Sequence, residues 1–240
     1  MNSLPHADRL IIKLLSAAAI LSAVAALSTT AIAKQDASQA TLSVSLPNTV
    51  QELRNDLDAI NFNVEDKKER VALLKERLDH VEALADTNSK DAGYQMMAGF
   101  YNIQYAGNTG GIGALKYAKK ARKYLDKSIA LDSSLFGAAA HAVLGTIYAQ
   151  VPGWPIGFGD KKKSEKNYQA ALKISPDGLN SNFSYAQHLF GQKKYQESKA
   201  YLEKAKIAPA REGRPIANAK LPEILNKLEH AIEEKLSEEN

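Results

Sequence analysis

Cysteine is absent from the 240 residues, which excludes disulfides, thiolate zinc sites, a cysteine nucleophile and the lipidated cysteine of an exported lipoprotein. Stability must come from packing alone. Alternating strand patterns of convincing length are also lacking. The formal net charge is only +4, too mild to point to nucleic acid as a partner. Catalytic signatures are missing as well: there is no G-x-S-x-G elbow. His80, His141, His188 and His230 stand far apart, without the i, i+4 pairing and Glu of zinc peptidases. The glycine-rich stretch at 107–113 imitates a phosphate loop, but no strand precedes it and Ala114 stands where a P-loop needs Lys; it reads as a flexible interhelical turn. Paired acids such as Glu233 and Glu234, or Glu238 and Glu239, belong to a polar terminal helix. No catalytic residue, metal or cofactor is therefore expected.

What is present begins with an export signal. Arg9 and Lys13 supply a positive start, residues 14–27 an uncharged apolar segment, and Ala31, Ile32 and Ala33 a small-x-small cleavage pattern. Cleavage is expected after Ala33. A retained anchor is the alternative, but a spanning helix needs about 20 apolar residues and this stretch is shorter. The mature chain is expected to be soluble, periplasmic or otherwise exported, and without stable membrane insertion. Residues 34–48 are small and polar up to Pro47 and read as a tether.

From Thr49 onward apolar residues recur at three and four: Leu53, Leu57 and Ile60, then Val71, Leu74, Leu78, Val81 and Ala85. Two amphipathic helices over 49–88 follow, a hairpin. The second spacing resembles a coiled-coil seam too short to be one, which leaves dimerisation open. Beyond Asp91 small residues alternate with Tyr and Leu at helical spacing, with turns at 107–113, 152–159, 176–178, Gly191 and 209–215. The fold class is all-α, with a helical domain over 89–237.

This domain repeats itself. Ser164, Tyr168, Ala171 and Pro176 are reproduced 34 residues later by Ser198, Leu202, Ala205 and Ala210, the tetratricopeptide period. Upstream, Leu144, Gly145 and Tyr148 carry the L-G-x-x-Y part of that signature, and Tyr185, Ala186 and Leu189 hold its place in the next unit. A third unit sets Gly99 against Ala121, Leu125 and Ser128. The chain thus resembles tetratricopeptide repeat proteins, which implies antiparallel helix pairs stacked as a solenoid. The loop VPGWPIGFGD at 151–160, followed by a second repeat helix, is similar to that of exported bacterial proteins related to the T-component of TRAP transporters. A similar segment occurs in regulators of microtubule dynamics. The resemblance covers about residues 90–235 and implies a concave surface or channel that handles a small hydrophobic ligand or meets a transporter component.

Two readings of the loop stay open. Trp154, the only tryptophan, and Phe158 either fold back to cap the helix pair, with Gly157 and Gly159 relieving backbone strain and Asp160 capping the next helix, or they wall a pocket or dock a partner. The resemblance places Ala139, Ala142, Thr146 and Ala149, then Asn180, Phe183, Gln187 and Phe190, on the concave face. Some relatives clamp a terminal carboxylate there through Lys and Asn, but Ala142, Thr146, Phe183 and Gln187 occupy those places, so a neutral or hydrophobic occupant fits better. The C-terminal helix is the competing cover for this face. Arg211 and Arg214 flank a Gly213-Pro215 turn, either solvated or set to meet an anion. Lys161 to Lys163 and the Lys116, Lys119, Lys120, Arg122 and Lys123 group read as solvated faces. The expected function is a non-catalytic interaction or scaffold module for a protein or peptide partner. The alternative is a small hydrophobic ligand-binding accessory protein of a transport system.

Overall fold

A computed structural model describes residues 46–239. The expected leader at 1–33 and most of the tether at 34–48 lie outside them. Among the described residues there are nine α-helices and no strand: α1 (Val50–Asn63), α2 (Lys67–Thr87), α3 (Ala92–Thr109), α4 (Gly111–Leu131), α5 (Leu135–Gln150), α6 (Lys161–Ile174), α7 (Leu179–Gly191), α8 (Tyr195–Lys206) and α9 (Pro215–Glu238). No helix among them is long and apolar enough to cross a membrane.

Local chemistry starts several of these helices. Thr49 and Glu52 form a reciprocal capping box on α1, satisfying donors that no helical carbonyl can reach. Asp66, Asp91 and Asp160 accept from the first backbone N–H groups of α2, α3 and α6, each supplying the side-chain oxygen that N-caps need. The glycine-rich turn is shorter than its sequence suggests. Residues 107–109 finish α3 and 111–113 begin α4, leaving Gly110 with φ +67° as the break; a side chain there would strain against the next carbonyl.

Three successive helix pairs meet at one repeated contact. In α3–α4 a methyl group on Gly99 would lie 2.6 Å from Leu125. In α5–α6 a methyl group on Gly145 would lie 2.9 Å from the Tyr168 ring. In α7–α8 the corresponding Ala186 and Leu202 are both fully buried in one cluster. Ser164 Oγ donates to the Gly145 carbonyl at 2.8 Å, and Ser198 Oγ donates to the Ala186 carbonyl at 2.8 Å, one 34-residue step apart. A small residue and a buried hydroxyl thus let two backbones approach closely, since a larger side chain would separate the helices. Leu144, Tyr148, Ala171 and Ala205 are buried along the same interfaces.

The N-terminal hairpin packs on this array. Leu53, Leu57 and Ile60 of α1 and Leu74, Leu78, Val81 and Ala85 of α2 form one apolar cluster with Met97, Ala98 and Tyr101 of α3. The seam on α2 is thereby covered within the chain, and the end of the tether is tied down too: Pro47 is buried and its carbonyl meets His80 Nε2 at 2.9 Å. At the far end, Leu225, Leu228 and Ile232 of α9 pack on α7 and α8. Helix α9 also reaches α1. The loop leading into it holds that junction: Gln51 Nε2 donates to the Gly213 carbonyl at 2.5 Å, and Arg214 Nε donates to Asp58 Oδ2 at 2.8 Å. The first and last helices are therefore joined.

Candidate functional site

With the ends joined, α1, α3, α5, α7 and α9, together with Lys161, Ser164 and Tyr168 of α6, wall a cavity of about 1330 Å³. Its apolar surface comes from Leu57, Phe100, Val143, Leu179, Phe183 and Ile224, among others. Small residues make the space: Ala139, Ala142 and Ala149 line one stretch of α5. Most ligand pockets span roughly 300–1,000 Å³, so this one has room for a ligand larger than a typical metabolite or for a ligand with water.

The lining is uneven in charge. Arg54, Arg211, Arg214 and Lys161 face it, against Asp58 and Glu212. Arg214 engages both oxygens of Asp58, whose side chain is only 3% exposed. Arg54 and Arg211 find neutral acceptors instead. Arg54 donates to Gln51 Oε1 at 3.0 Å and to the Glu212 carbonyl at 3.5 Å, and its guanidinium lies 3.9 Å from the Phe136 ring centroid. Arg211 Nε donates to Asn218 Oδ1 at 3.3 Å. Burial, then the neighbouring Arg214, pull the Arg211 pKa down to about 10. Arg54 is lowered by the same two causes. Desolvation penalises a charge that lacks a counter-charge, and this end sets three guanidiniums against one buried carboxylate, Asp58, and one exposed one, Glu212, both of which oppose the fall at Arg54. Phe136 reaches Arg54 from an unusual backbone: Phe136, Gly137 and Ala138 all have positive φ. Such conformations are costly for residues with a Cβ and concentrate at binding sites.

A second polar cluster borders the cavity between α6 and α7. Tyr185 donates to Glu165 Oε1 at 2.8 Å, and His188 Nε2 lies 3.8 Å from Glu165 Oε2 while its ring packs 4.6 Å from Tyr168. Burial pushes Tyr185 and Tyr168 well above the usual phenol range and His188 below its own. Among the described residues no group of His, Asp and Glu is placed to hold a metal ion.

The cavity draws together many of the sequence-selected residues. Ala139, Ala142, Thr146, Ala149, Asn180, Phe183, Gln187, Arg211 and Arg214 line it. Phe183 is covered by α9 as well, through the cluster with Leu225 and Leu228, the cover that the C-terminal helix was expected to give. Others are corrected. Trp154 does not fold back to cap a helix pair: it is 89% exposed and lies outside the cavity, as does Phe158. Phe158 alone turns inward, its ring 5.9 Å from Tyr148 and 4.4 Å from the Arg122 guanidinium. Gly157 and Gly159 relieve no strain, since neither has positive φ; they are needed because a Cβ would fall on the carbonyl oxygens of Pro152 and Val151. Phe190 points away from the cavity and packs 5.4 Å from Tyr195. Arg214 is not solvated but paired; Lys120, 40% exposed, keeps its solvent contact and also pairs with Glu82, its Nζ 2.7 Å away. Asp58, Arg54 and Phe136 went unnoticed in the sequence. The one signal was Arg54 and Asp58 four apart on α1, sharing a helix face.

No protein-family profile matches the chain, and no curated protein matches it by sequence.

Proposed function

We propose that this chain is a non-catalytic, exported binding protein of tetratricopeptide-like architecture that holds a small, largely apolar ligand in the cavity between its inner helices. The junction of α1 with α9, through Asp58–Arg214 and Gln51–Gly213, carries this reading. Joining the ends gives a partly enclosed space where an unjoined array would present an open groove. A small molecule fits the existing volume with α9 left in place over Phe183. The resemblance to exported relatives of a transporter component supports the same choice, a ligand carrier serving transport.

Binding of N-phenyl-1-naphthylamine, a neutral dye that brightens in dry surroundings, tests it. Saturable one-to-one binding is expected, with loss in a Ser184→Trp variant that fills the cavity from a half-buried lining position. A folded protein that leaves the dye dark at all concentrations overturns the reading.

A second reading rests on the 151–160 loop. Trp154 and Ile156 are 89% and 53% exposed, two positions apart in the loop, and exposed aromatic anchors are common at interfaces. A protein partner docking here would be lost from co-purification in a Trp154→Ser variant whose dye binding is unchanged.

A further inference from the structure

The three arginines at one end of the cavity do more than close the array. Asp58 can neutralise only one of them, and Arg214 engages both of its oxygens. Arg211 and Arg54 are left with amide and carbonyl partners, and among the described residues neither makes an ion pair. They are close to one another along the wall, because Arg54 touches the carbonyl of Glu212, the residue after Arg211. Glu212 is itself exposed to solvent. Guanidinium groups present flat pairs of donors that match a carboxylate edge, and such charge-assisted bonds strengthen where water is scarce. The rest of the cavity is built differently, from Leu57, Phe136, Leu179, Phe183, Leu221 and Ile224. One ligand therefore meets two chemistries, a cationic end and an apolar body.

We infer that the ligand is an amphiphile with a carboxylate head, which lies against Arg211 and Arg54 while its hydrocarbon part fills the apolar remainder of the cavity. This rests on the cavity-binding reading above and adds the ligand's class to it. The head supplies the direct counter-charge that neither Arg211 nor Arg54 has, Asp58 being engaged by Arg214 and Glu212 turned to solvent. The tail explains why a site for an anion opens onto so much apolar surface, which a free inorganic ion would leave wet. Arg214 takes no part in recognition; its role is to hold α9 to α1 through Asp58.

Isothermal titration of the purified protein with four probes, the long-chain ones kept below their micelle concentrations, tests the inference: dodecanoate, dodecanol, acetate and inorganic phosphate. Dodecanoate is expected to bind one-to-one and at least about tenfold more tightly than dodecanol. Arg211→Gln is expected to bring dodecanoate to the affinity of dodecanol and leave dodecanol unchanged, which shows at once that the variant is folded. Arg54→Gln serves in its place if Arg211→Gln does not fold, and the comparison of heads in the unaltered protein needs no variant. Equal affinities for dodecanoate and dodecanol overturn the carboxylate head and leave the cavity reading standing. Acetate or phosphate binding as tightly as dodecanoate overturns the amphiphile in favour of a simple ion. Failure of both long-chain probes overturns this inference together with the reading it rests on.

Discussion

Arg214 Nε lies 2.8 Å from Asp58 Oδ2, a bond between residues 156 positions apart that ties the last helix to the first. The carboxylate is almost wholly buried and the guanidinium 18% exposed. Such a pair contributes little compared with well-packed apolar residues, yet breaking one side strands a buried charge. Asp58→Ala would leave three arginines together with only the exposed Glu212 beside them. The expected loss is about 2–4 kcal/mol, discounted for the partial exposure of Arg214, or roughly 5–15 °C in the thermal midpoint. Hydrogen exchange should rise first in α1 and α9. Protection lost evenly over all helices would contradict the role of this pair as the junction.

Gly99 and Gly145 make a paired test of the repeat. Alanine normally improves a helix interior by up to about 1 kcal/mol over glycine, but here the added methyl would meet Leu125 or Tyr168 at under 3 Å. Gly99→Ala and Gly145→Ala are expected to destabilise by roughly 1–3 kcal/mol through overpacking. Gly113→Ala is the control, because nothing lies within 4 Å of its methyl position. Chemical denaturation should show it neutral or stabilising. Three alanines with the same sign of effect would dismiss the close approach of the paired helices.

His188 gives the fold a pH dependence of known sign. Burial lowers its pKa from the usual 6.5, with Glu165 opposing and Lys194 adding to the fall; the rings of Tyr168 and Tyr185 and the Gln192 amide complete its surroundings. The folded protein thus binds this proton less readily than the unfolded chain. Its contribution is present above pH 6.5 and is lost as pH falls through the lowered folded value. Melting curves between about pH 7.5 and 5 should fall more steeply for the natural protein than for His188→Gln, and parallel curves would remove the effect.

Trp154 offers an optical check. As the only tryptophan, and 89% exposed, it should emit as a water-exposed indole, be quenched freely by iodide, and keep its spectrum when the cavity fills. Trp154→Ser should leave the free energy of unfolding within about 0.5 kcal/mol of the parent, as surface changes usually do. A blue-shifted, protected emission would mean that the loop folds back after all.

The residues themselves determined the all-helical class and the register of its pairs. Period and spacing are local properties: Leu53, Leu57 and Ile60 announce a helix face, and Ser164 with Tyr168, echoed by Ser198 with Leu202, announces the same contact twice. What the cavity is made of was legible in part, since Ala139, Thr146, Asn180 and Phe183 follow from the inward face of a repeated helix. Of the two readings of Trp154, the folded-back one fails because hydrophobicity predicts burial only where a partner surface exists, and the loop at 151–160 leaves it none. Only the tertiary structure decided that the array closes. That depends on Asp58 meeting Arg214, on Gly213 meeting Gln51 and on α9 covering Phe183. Contacts between residues so distant in the chain arise from the summed twist of every intervening helix pair, which leaves no mark on either partner's neighbours in sequence.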